Sequence, residues 1–282
     1  MCARRIGTAE FFEANPFCCF CGGTVIATTI EHAPPKVLFR NKYRLKGLEF
    51  AACERCNMGR SDLDNVAAFF CILSGAGFDT GLIDDYWERI AQGVKNNTPE
   101  VLDYIGTLDA PEVWDIGSGP EHLHKVGINK RLYVDWLNPW VAKQACALWY
   151  HHTRKTITET MCILVRWMDM EGILKDGIPE SLIEVAPSRG ALQMGKMNSS
   201  DQFAYRYNLN PAEGIGIVIL GAHGSSVAYA LIMSKGHMLE RYRTRYRGDL
   251  FATSAQRGIE LWSPYETGFI RADSQMGPFQ GI

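Results

Sequence analysis

The sequence has no long apolar segment and no marked excess of either charge. No apolar run approaches the roughly 18 residues that a membrane-spanning helix needs, so we expect no membrane segment. The first residues, among them Glu10 and Glu13, lack the apolar core of a secretory signal, and we therefore expect a cytoplasmic protein. Internal repeats and low-complexity tracts are also absent, which excludes a solenoid and argues against disordered tails.

What is present is an ordinary globular composition with an uneven distribution of charge. The 282 residues are 46% hydrophobic and 21% charged, with a formal net charge of −2. Between His32 and Arg60, however, seven basic residues stand against only two acidic ones. Such a segment is typical of a polyanion-binding surface, although a solvated loop would have the same composition. The residues that we predict to contact nucleic acid here are Lys36, Arg40, Lys42, Arg55 and Arg60.

The nine cysteines are an odd number that does not suit a closed disulfide framework, and we interpret them as metal ligands and buried thiols. Cys18-x-x-Cys21 and Cys53-x-x-Cys56 form two pairs separated by 31 residues. Each spacing lets a tight knuckle present two thiolates to one ion, and two knuckles complete the four-thiolate shell of a structural zinc site. Cys19 lies inside the first knuckle and is an alternative ligand.

The segment between and after the two pairs predicts a strand, a loop, a second strand and a helix. Thr24–Ile30 is rich in β-branched residues and predicts a strand that ends at Glu31 and His32. A Pro-Pro-Lys sequence then directs the chain into an extended loop. After the second pair, a polar stretch leads into Val66–Leu73, which we predict to be helical.

This combination resembles the HNH endonucleases. The motifs that carry the resemblance are Cys18-x-x-Cys21, then Glu31-His32-Ala33-Pro34-Pro35-Lys36, then Cys53-x-x-Cys56-Asn57. They are similar to the zinc-clamped subgroup of that family, which has an acid-His-x-Pro-Pro-Lys motif. The resemblance covers residues 15–73, about a fifth of the chain, and implies a ββα-metal core.

The resemblance also implies roles for single residues. His32 would be the general base toward water, since its near-neutral pKa suits that task. Glu31 and Asn57 would hold a catalytic Mg²⁺ or Mn²⁺, and Asp64, two helical turns further on the same face, would assist. The alternatives are a surface histidine, a helix cap at Asn57 and a solvated first-turn acid at Asp64.

Two positions differ from the family's usual pattern, and they keep other functions open. The acid is usually aspartate, and many members have an asparagine just before the second knuckle that this chain lacks, unless Asn41 substitutes for it. The leading hypothesis is a metal-dependent endonuclease acting on nucleic acid, with DNA as the expected substrate and a bacterial or phage defence setting suggested by the resemblance. The second is a zinc module that binds nucleic acid without cutting, and the third is an interaction protein in a larger complex.

The remaining two hundred residues predict a second domain. A glycine-containing break places the boundary near residue 78, which divides the chain into 1–78 and an α+β domain over 79–282. This second domain is expected to position substrate, to bind a protein partner or to form a homo-oligomer. We predict helices over 84–96, 99–107 and 134–155, and an antiparallel sheet of strands over 203–209, 214–220, 227–233 and 238–247.

The last of these strands contains four arginines at alternate positions. On a strand they share one face, with neighbours about 6.6–6.8 Å apart. Such a row suits phosphate contact through the planar guanidinium groups, or alternatively it protects an exposed sheet edge. The four residues are Arg241, Arg243, Arg245 and Arg247.

Overall fold

The fold is a mixture of helices and antiparallel sheet, as the sequence predicts. The structure is a computed structural model, and it describes residues 8–40, 43–58, 61–75, 85–107, 126–128, 132–167, 178, 180–194, 197–224, 226–234, 260–263 and 270–271. Among these residues no helix combines the length and the apolar character that crossing a membrane would require.

The N-terminal part has the predicted order of strand, loop, strand and helix. Its elements are helix α1 (Thr8–Ala14), strands β1 (Thr29–His32) and β2 (Glu49–Ala52), and helices α2 (Glu54–Asn57) and α3 (Ser61–Gly75). β1 and β2 pair antiparallel, with Glu31 opposite Phe50 and His32 opposite Glu49. β1 begins later than predicted, because residues before it build the first knuckle, where Phe17 and Ile26 form an isolated bridge.

The expectation that Asn57 and Asp64 lie on one helix is wrong. Asn57 is the last residue of α2, whereas Asp64 lies in the first turn of α3, which begins at Ser61. The two side chains therefore reach the site from separate elements.

The middle of the chain is partly as predicted. Its elements are α4 (Asp85–Asn97), a 3-10 helix over Pro99–Tyr104, the paired strands β3 (Ile105–Thr107) and β4 (Val126–Ile128), and α5 (Asn138–Thr153) after a π-helical turn over Tyr133–Leu137. The helix predicted over 99–107 is wrong at its end, because Ile105–Thr107 finds a strand partner in residues distant in sequence. α5 carries Pro139 as its second residue, directly after the π-helical turn.

The C-terminal part contains a seven-stranded antiparallel sheet. Its remaining elements in chain order are β5 (Met161–Trp167), helix α6 (Glu180–Val185), β6 (Ser188–Ala191), the small pair β7 (Gln193–Met194) and β8 (Met197–Asn198), then β9 (Phe203–Asn210), β10 (Ile215–Ala222), β11 (Ser226–Ser234), β12 (Glu260–Ser263) and β13 (Ile270–Arg271). The strand order is β13-β12-β5-β11-β10-β9-β6. Three predicted strands are confirmed as β9, β10 and β11, and the fourth, over 238–247, lies outside the described residues.

The sheet buries both faces. Val218 and Leu220 of β10 belong to the main core with α5, whereas Ile217 and Ile219 pack with Leu182 of α6 on the other face. This is the alternation expected of a strand covered on both sides. The main core continues without interruption from the cysteine knuckles through α3 to α5 and the sheet. The boundary predicted near residue 78 lies outside the described residues.

The loop after β1 is fastened to the sheet and to α4. The backbone N–H of Arg40 donates to Gln202 Oε1 at 2.8 Å, and a ring nitrogen of His223 lies 2.9 Å from the Leu38 carbonyl oxygen. The Tyr86 hydroxyl of α4 donates to the Val37 carbonyl at 2.5 Å. The segment with the family-like Pro-Pro-Lys sequence is therefore held by elements far from it in the chain.

Candidate metal centre and a buried ion cluster

The two cysteine pairs converge on one point. The sulfur atoms of Cys18, Cys21, Cys53 and Cys56, called the cysteine cluster below, all lie within 4.8 Å of one another. None of the four residues is more than 9% exposed. Four buried thiols at this spacing are able to hold one metal ion, and they are the four residues that the sequence selects.

Local backbone geometry builds each knuckle. In the first, the Cys18 N–H donates to the Val25 carbonyl at 2.8 Å and the Gly23 N–H donates to the Cys18 carbonyl at 3.2 Å. Gly22 and Gly23 have φ angles of 72° and 74°, a left-handed conformation that glycine adopts without strain. In the second, the Cys56 N–H donates to the Cys53 carbonyl at 3.1 Å as α2 begins.

The thiols of the cysteine cluster influence one another strongly. Hydrogen bonds from Cys21 and Cys56 lower the pKa of the Cys18 thiol far below its usual range, while the interaction with Cys18 raises the pKa of Cys21 and of Cys56. Burial raises the pKa of Cys19 instead, and Cys19 is not in the cluster. The pKa of Cys18 is thus lowered while those of its two neighbours are raised, and it is the set of four converging cysteines that matches the ligands that zinc takes in structural sites.

A buried group of charges lies at β1. Lys143 of α5 places its Nζ atom 3.0 Å from Glu31 Oε2 and 3.1 Å from Asp64 Oδ2. The side chains of Lys143, Glu31 and Asp64 are 0%, 5% and 13% exposed. We call these three residues the ion cluster. It joins β1, α3 and α5 at one point.

β1 directs Glu31 and its neighbour to different environments. Glu31 points into the interior, where Oε1 accepts a hydrogen bond of 2.8 Å from the His32 backbone N–H. His32 points to the opposite side of the strand, as alternate residues do, and is partly exposed. The Glu31 carboxylate thus contacts Lys143 through one oxygen and the backbone of His32 through the other.

Arg44 serves the structure of the loop. Its guanidinium donates to the carbonyl oxygens of Pro34, Leu45, Gly47 and Leu48, and its Nη1 lies 3.6 Å from Glu49 Oε1. With a side chain only 2% exposed, it closes the loop between β1 and β2. Arg44 is therefore not a solvent-exposed cation of this loop.

Burial and nearby charges keep the His32 ring neutral. Burial, together with the Arg44 and Lys36 cations, lowers the pKa of His32 to about 4, and the Glu49 carboxylate offsets only part of this shift. In the ion cluster, burial alone would lower the pKa of Lys143, but the Asp64 and Glu31 carboxylates raise it above its ordinary value. At neutral pH His32 is therefore a proton acceptor, and Lys143 is a fixed cation.

Of the other predicted site residues, Asn57 lies close to β1, some of the basic residues lie on the surface, and the rest lie outside the described residues. Asn57 lies near the strand, where its Nδ2 donates to the Ile30 carbonyl at 3.2 Å and so ties α2 to β1. Lys36 and Arg55 are exposed, and Arg40 is partly buried. The predicted nucleic-acid contacts that lie outside the described residues are Lys42, Arg60, Arg241, Arg243, Arg245 and Arg247.

The arrangement of Glu31 and Asp64 does not fit the divalent ion expected from the sequence. Mg²⁺ needs oxygen ligands at about 2.0–2.1 Å in an octahedron. The oxygens that Glu31 and Asp64 turn toward each other already face the Lys143 ammonium at 3.0 and 3.1 Å. Lys143 therefore takes the position that such an ion would need between these two carboxylates.

Sequence reasoning missed Lys143, although a signal for it exists. Lys143 is one charged residue within Trp140–Trp149, a helical segment that is otherwise apolar apart from Gln144. Lysine is rarely fully buried without a partner. A lone lysine in such a segment indicates a buried carboxylate elsewhere in the chain, but the sequence does not say which one.

The surroundings of His32 make its ring titrate at unusually low pH. We expect a pKa of about 4 for His32, well below the usual value near 6.5. Changing the exposed Lys36 to Gln should raise this pKa, because one of the cations that disfavour imidazolium is removed. The measurement is a pH titration of the His32 ring resonances by NMR.

Lys155→Gln is the matched control, since that exposed lysine does not contribute to the shift at His32. Its His32 titration should coincide with that of the parent protein. A parent His32 that titrates near 6.5, or a Lys36→Gln curve that does not move, would contradict the described surroundings.

Comparison of the chain with known protein families, with curated proteins and with solved structures finds no match. The likeness to HNH endonucleases therefore remains a resemblance carried by the sequence motifs.

Proposed function

We propose that the protein is a zinc-stabilised nuclease of the HNH type that hydrolyses phosphodiester bonds in nucleic acid, with His32 as the general base. The observation that carries the proposal is the position of His32. It lies at the end of β1, partly exposed and neutral, above a β1–β2–α2 unit that two cysteine pairs close. A neutral imidazole is able to accept a proton, but a pKa of about 4 lies below the near-neutral value expected from the sequence and makes His32 a weaker base.

The proposed chemistry uses groups that face solvent. His32 accepts a proton from water as the water oxygen attacks phosphorus. The bond between phosphorus and the 3′ oxygen breaks, and that oxygen takes up a proton from solvent, which leaves 5′-phosphate and 3′-hydroxyl ends. Lys36, which is exposed and close enough to act on the His32 pKa, and the exposed Arg55 of α2 would hold the phosphate backbone.

The cysteine cluster is proposed to hold a structural zinc ion. Four thiolates without an open position form a closed shell, which stabilises the fold and leaves no site for substrate. The knuckles enclose the first part of the main core, which contains Phe20 and Phe50. Metal binding should therefore contribute directly to the stability of β1, β2 and α2.

A second candidate function is a zinc module that binds nucleic acid without cutting it. The ion cluster favours it, because Lys143 already neutralises the carboxylates that would otherwise bind a catalytic ion. DNA as the preferred substrate, a role in defence, and a protein partner or homo-oligomer formed through residues 79–282 remain predictions from the sequence.

The zinc proposal predicts one zinc ion per chain. Cys53→Ala should remove it and destabilise the N-terminal part, because three thiolates do not complete the shell. Elemental analysis together with thermal unfolding is the measurement. Cys71→Ala, a buried cysteine outside the cysteine cluster, is the control and should retain one zinc. Full zinc content in Cys53→Ala would show that the ligands are wrongly assigned.

The nuclease proposal predicts that His32→Ala abolishes cutting. Loss of a general base lowers a rate by a factor of about 10²–10⁴. Zinc content and nucleic-acid affinity should stay close to those of the parent protein. The assay incubates the full chain with plasmid, single-stranded DNA and RNA, with added Mg²⁺ or Mn²⁺ and without either.

The matched control for this assay is His152→Phe. It keeps an aromatic ring stacked on Tyr207, where the centroids lie 3.9 Å apart, and leaves the surface around His32 unchanged. It should cut like the parent protein. If the parent binds these substrates without cutting any of them, the second candidate function replaces the first.

A further inference from the structure

The ion cluster has the arrangement of a small cation site whose cation belongs to the chain. Lys143 Nζ lies 3.0 Å from Glu31 Oε2, and 3.1 and 3.4 Å from the two Asp64 carboxylate oxygens. Lys143 donates aligned hydrogen bonds to Asp64, whereas its contact with Glu31 Oε2 is an ion contact without that alignment. One ammonium thus faces three oxygens from two carboxylates.

This ammonium has no alternative location. The Lys143 side chain is 0% exposed, and α5 is buried from Asn138 to Trp149, where it packs in the main core with α3 and the sheet. A lysine at the surface would swing aside and find water. Lys143 would instead leave its only described partners for an apolar interior, which is strongly unfavourable for a charged group.

A divalent ion and this ammonium exclude each other. An ion that bridges Glu31 and Asp64 would occupy the position of Nζ, because both use the same inward-facing oxygens. If it settled beside Nζ instead, two cations would lie about 3–4 Å apart in a poorly solvated site, where their repulsion is only weakly screened. The pair therefore accepts one cation, and α5 provides it.

The ion cluster also positions the strand end that carries the general base. Glu31 Oε2 contacts Lys143, and Oε1 accepts the His32 backbone N–H at 2.8 Å. Lys143 itself lies behind the strand, away from the solvent-facing side of His32. It is a positioning residue that acts through Glu31.

We infer that Lys143 is the resident cation of the Glu31–Asp64 pair, and that this pair binds no divalent ion in the native protein. For cleavage the consequence rests on the proposed function: any cutting by the native chain proceeds without a divalent ion at Glu31. The assignment of the cation itself does not depend on whether the protein cuts nucleic acid.

The test is a titration of the full chain with Mn²⁺. Binding is measured as the loss of the electron paramagnetic resonance signal of free Mn²⁺. The native protein should bind no Mn²⁺ through Glu31, so Glu31→Gln should leave the titration unchanged. Lys143→Met is close in length to lysine and removes the charge, and it should gain one Mn²⁺ per chain with at least a tenfold increase in affinity. Lys143→Met/Glu31→Gln should lose that gain.

Lys143→Arg separates charge from shape. It keeps a cation in the site and should bind Mn²⁺ no better than the native protein, even if the larger guanidinium lowers its stability. A role that is only structural would give no reason for Mn²⁺ binding to appear in Lys143→Met and to vanish again with Glu31→Gln. Equal Mn²⁺ binding by Lys143→Arg and Lys143→Met would overturn the inference.

The Mn²⁺ titration of the native protein tests the inference even if Lys143→Met does not fold. Native protein that binds one Mn²⁺, and loses it in Glu31→Gln or Asp64→Asn, overturns the inference, whereas no such binding supports it. If that binding accompanies Mg²⁺-dependent cutting, the proposed function stands and the inference falls. If the native chain neither binds Mn²⁺ at Glu31 nor cuts any substrate, the inference stands and the proposed nuclease function falls.

Discussion

The rest of the structure depends on one interaction, the buried contact of Lys143 with the carboxylates of Glu31 and Asp64. Removing one partner from a buried ion pair costs about 3–5 kcal/mol, because it leaves an uncompensated charge in the interior. Here the pair joins β1, α3 and α5, so the same contact fixes the strand that carries His32 and the helix that covers the sheet. The site and the core are therefore stabilised together.

The cysteine cluster and the ion cluster act on opposite ends of the same strand unit. The cysteine cluster closes the chain before β1 and after β2, while the ion cluster holds the end of β1 from inside. Arg44 then closes the loop between the strands through four carbonyl oxygens. Three kinds of polar contact thus define a short hairpin that hydrophobic packing alone would leave underdetermined.

Much of the fold and of the cysteine cluster could be predicted from local sequence patterns. The four cysteines, α3, α5 and three strands of the sheet follow from spacing and periodicity. β5 was missed because Met161–Trp167 is a nearly continuous apolar run, which periodicity does not distinguish from a buried helix. Lys143 was missed because the sequence cannot show that residues 79 positions apart, such as Asp64 and Lys143, meet. Both β5 and Lys143 are placed by contacts with residues that are distant in sequence.

The loop after β1 has a consequence for any attempt to use the N-terminal part alone. Its backbone is fastened to Gln202 and to His223, both in the sheet region. An excised piece comprising residues 1–78 would keep its cysteines but lose these anchors, and its two interior carboxylates would lose their counter-ion. Grafting this piece onto another scaffold would thus transfer the ligand set without the shape of the surface beside His32. The transferable unit is the hairpin together with the helix and sheet that complete it.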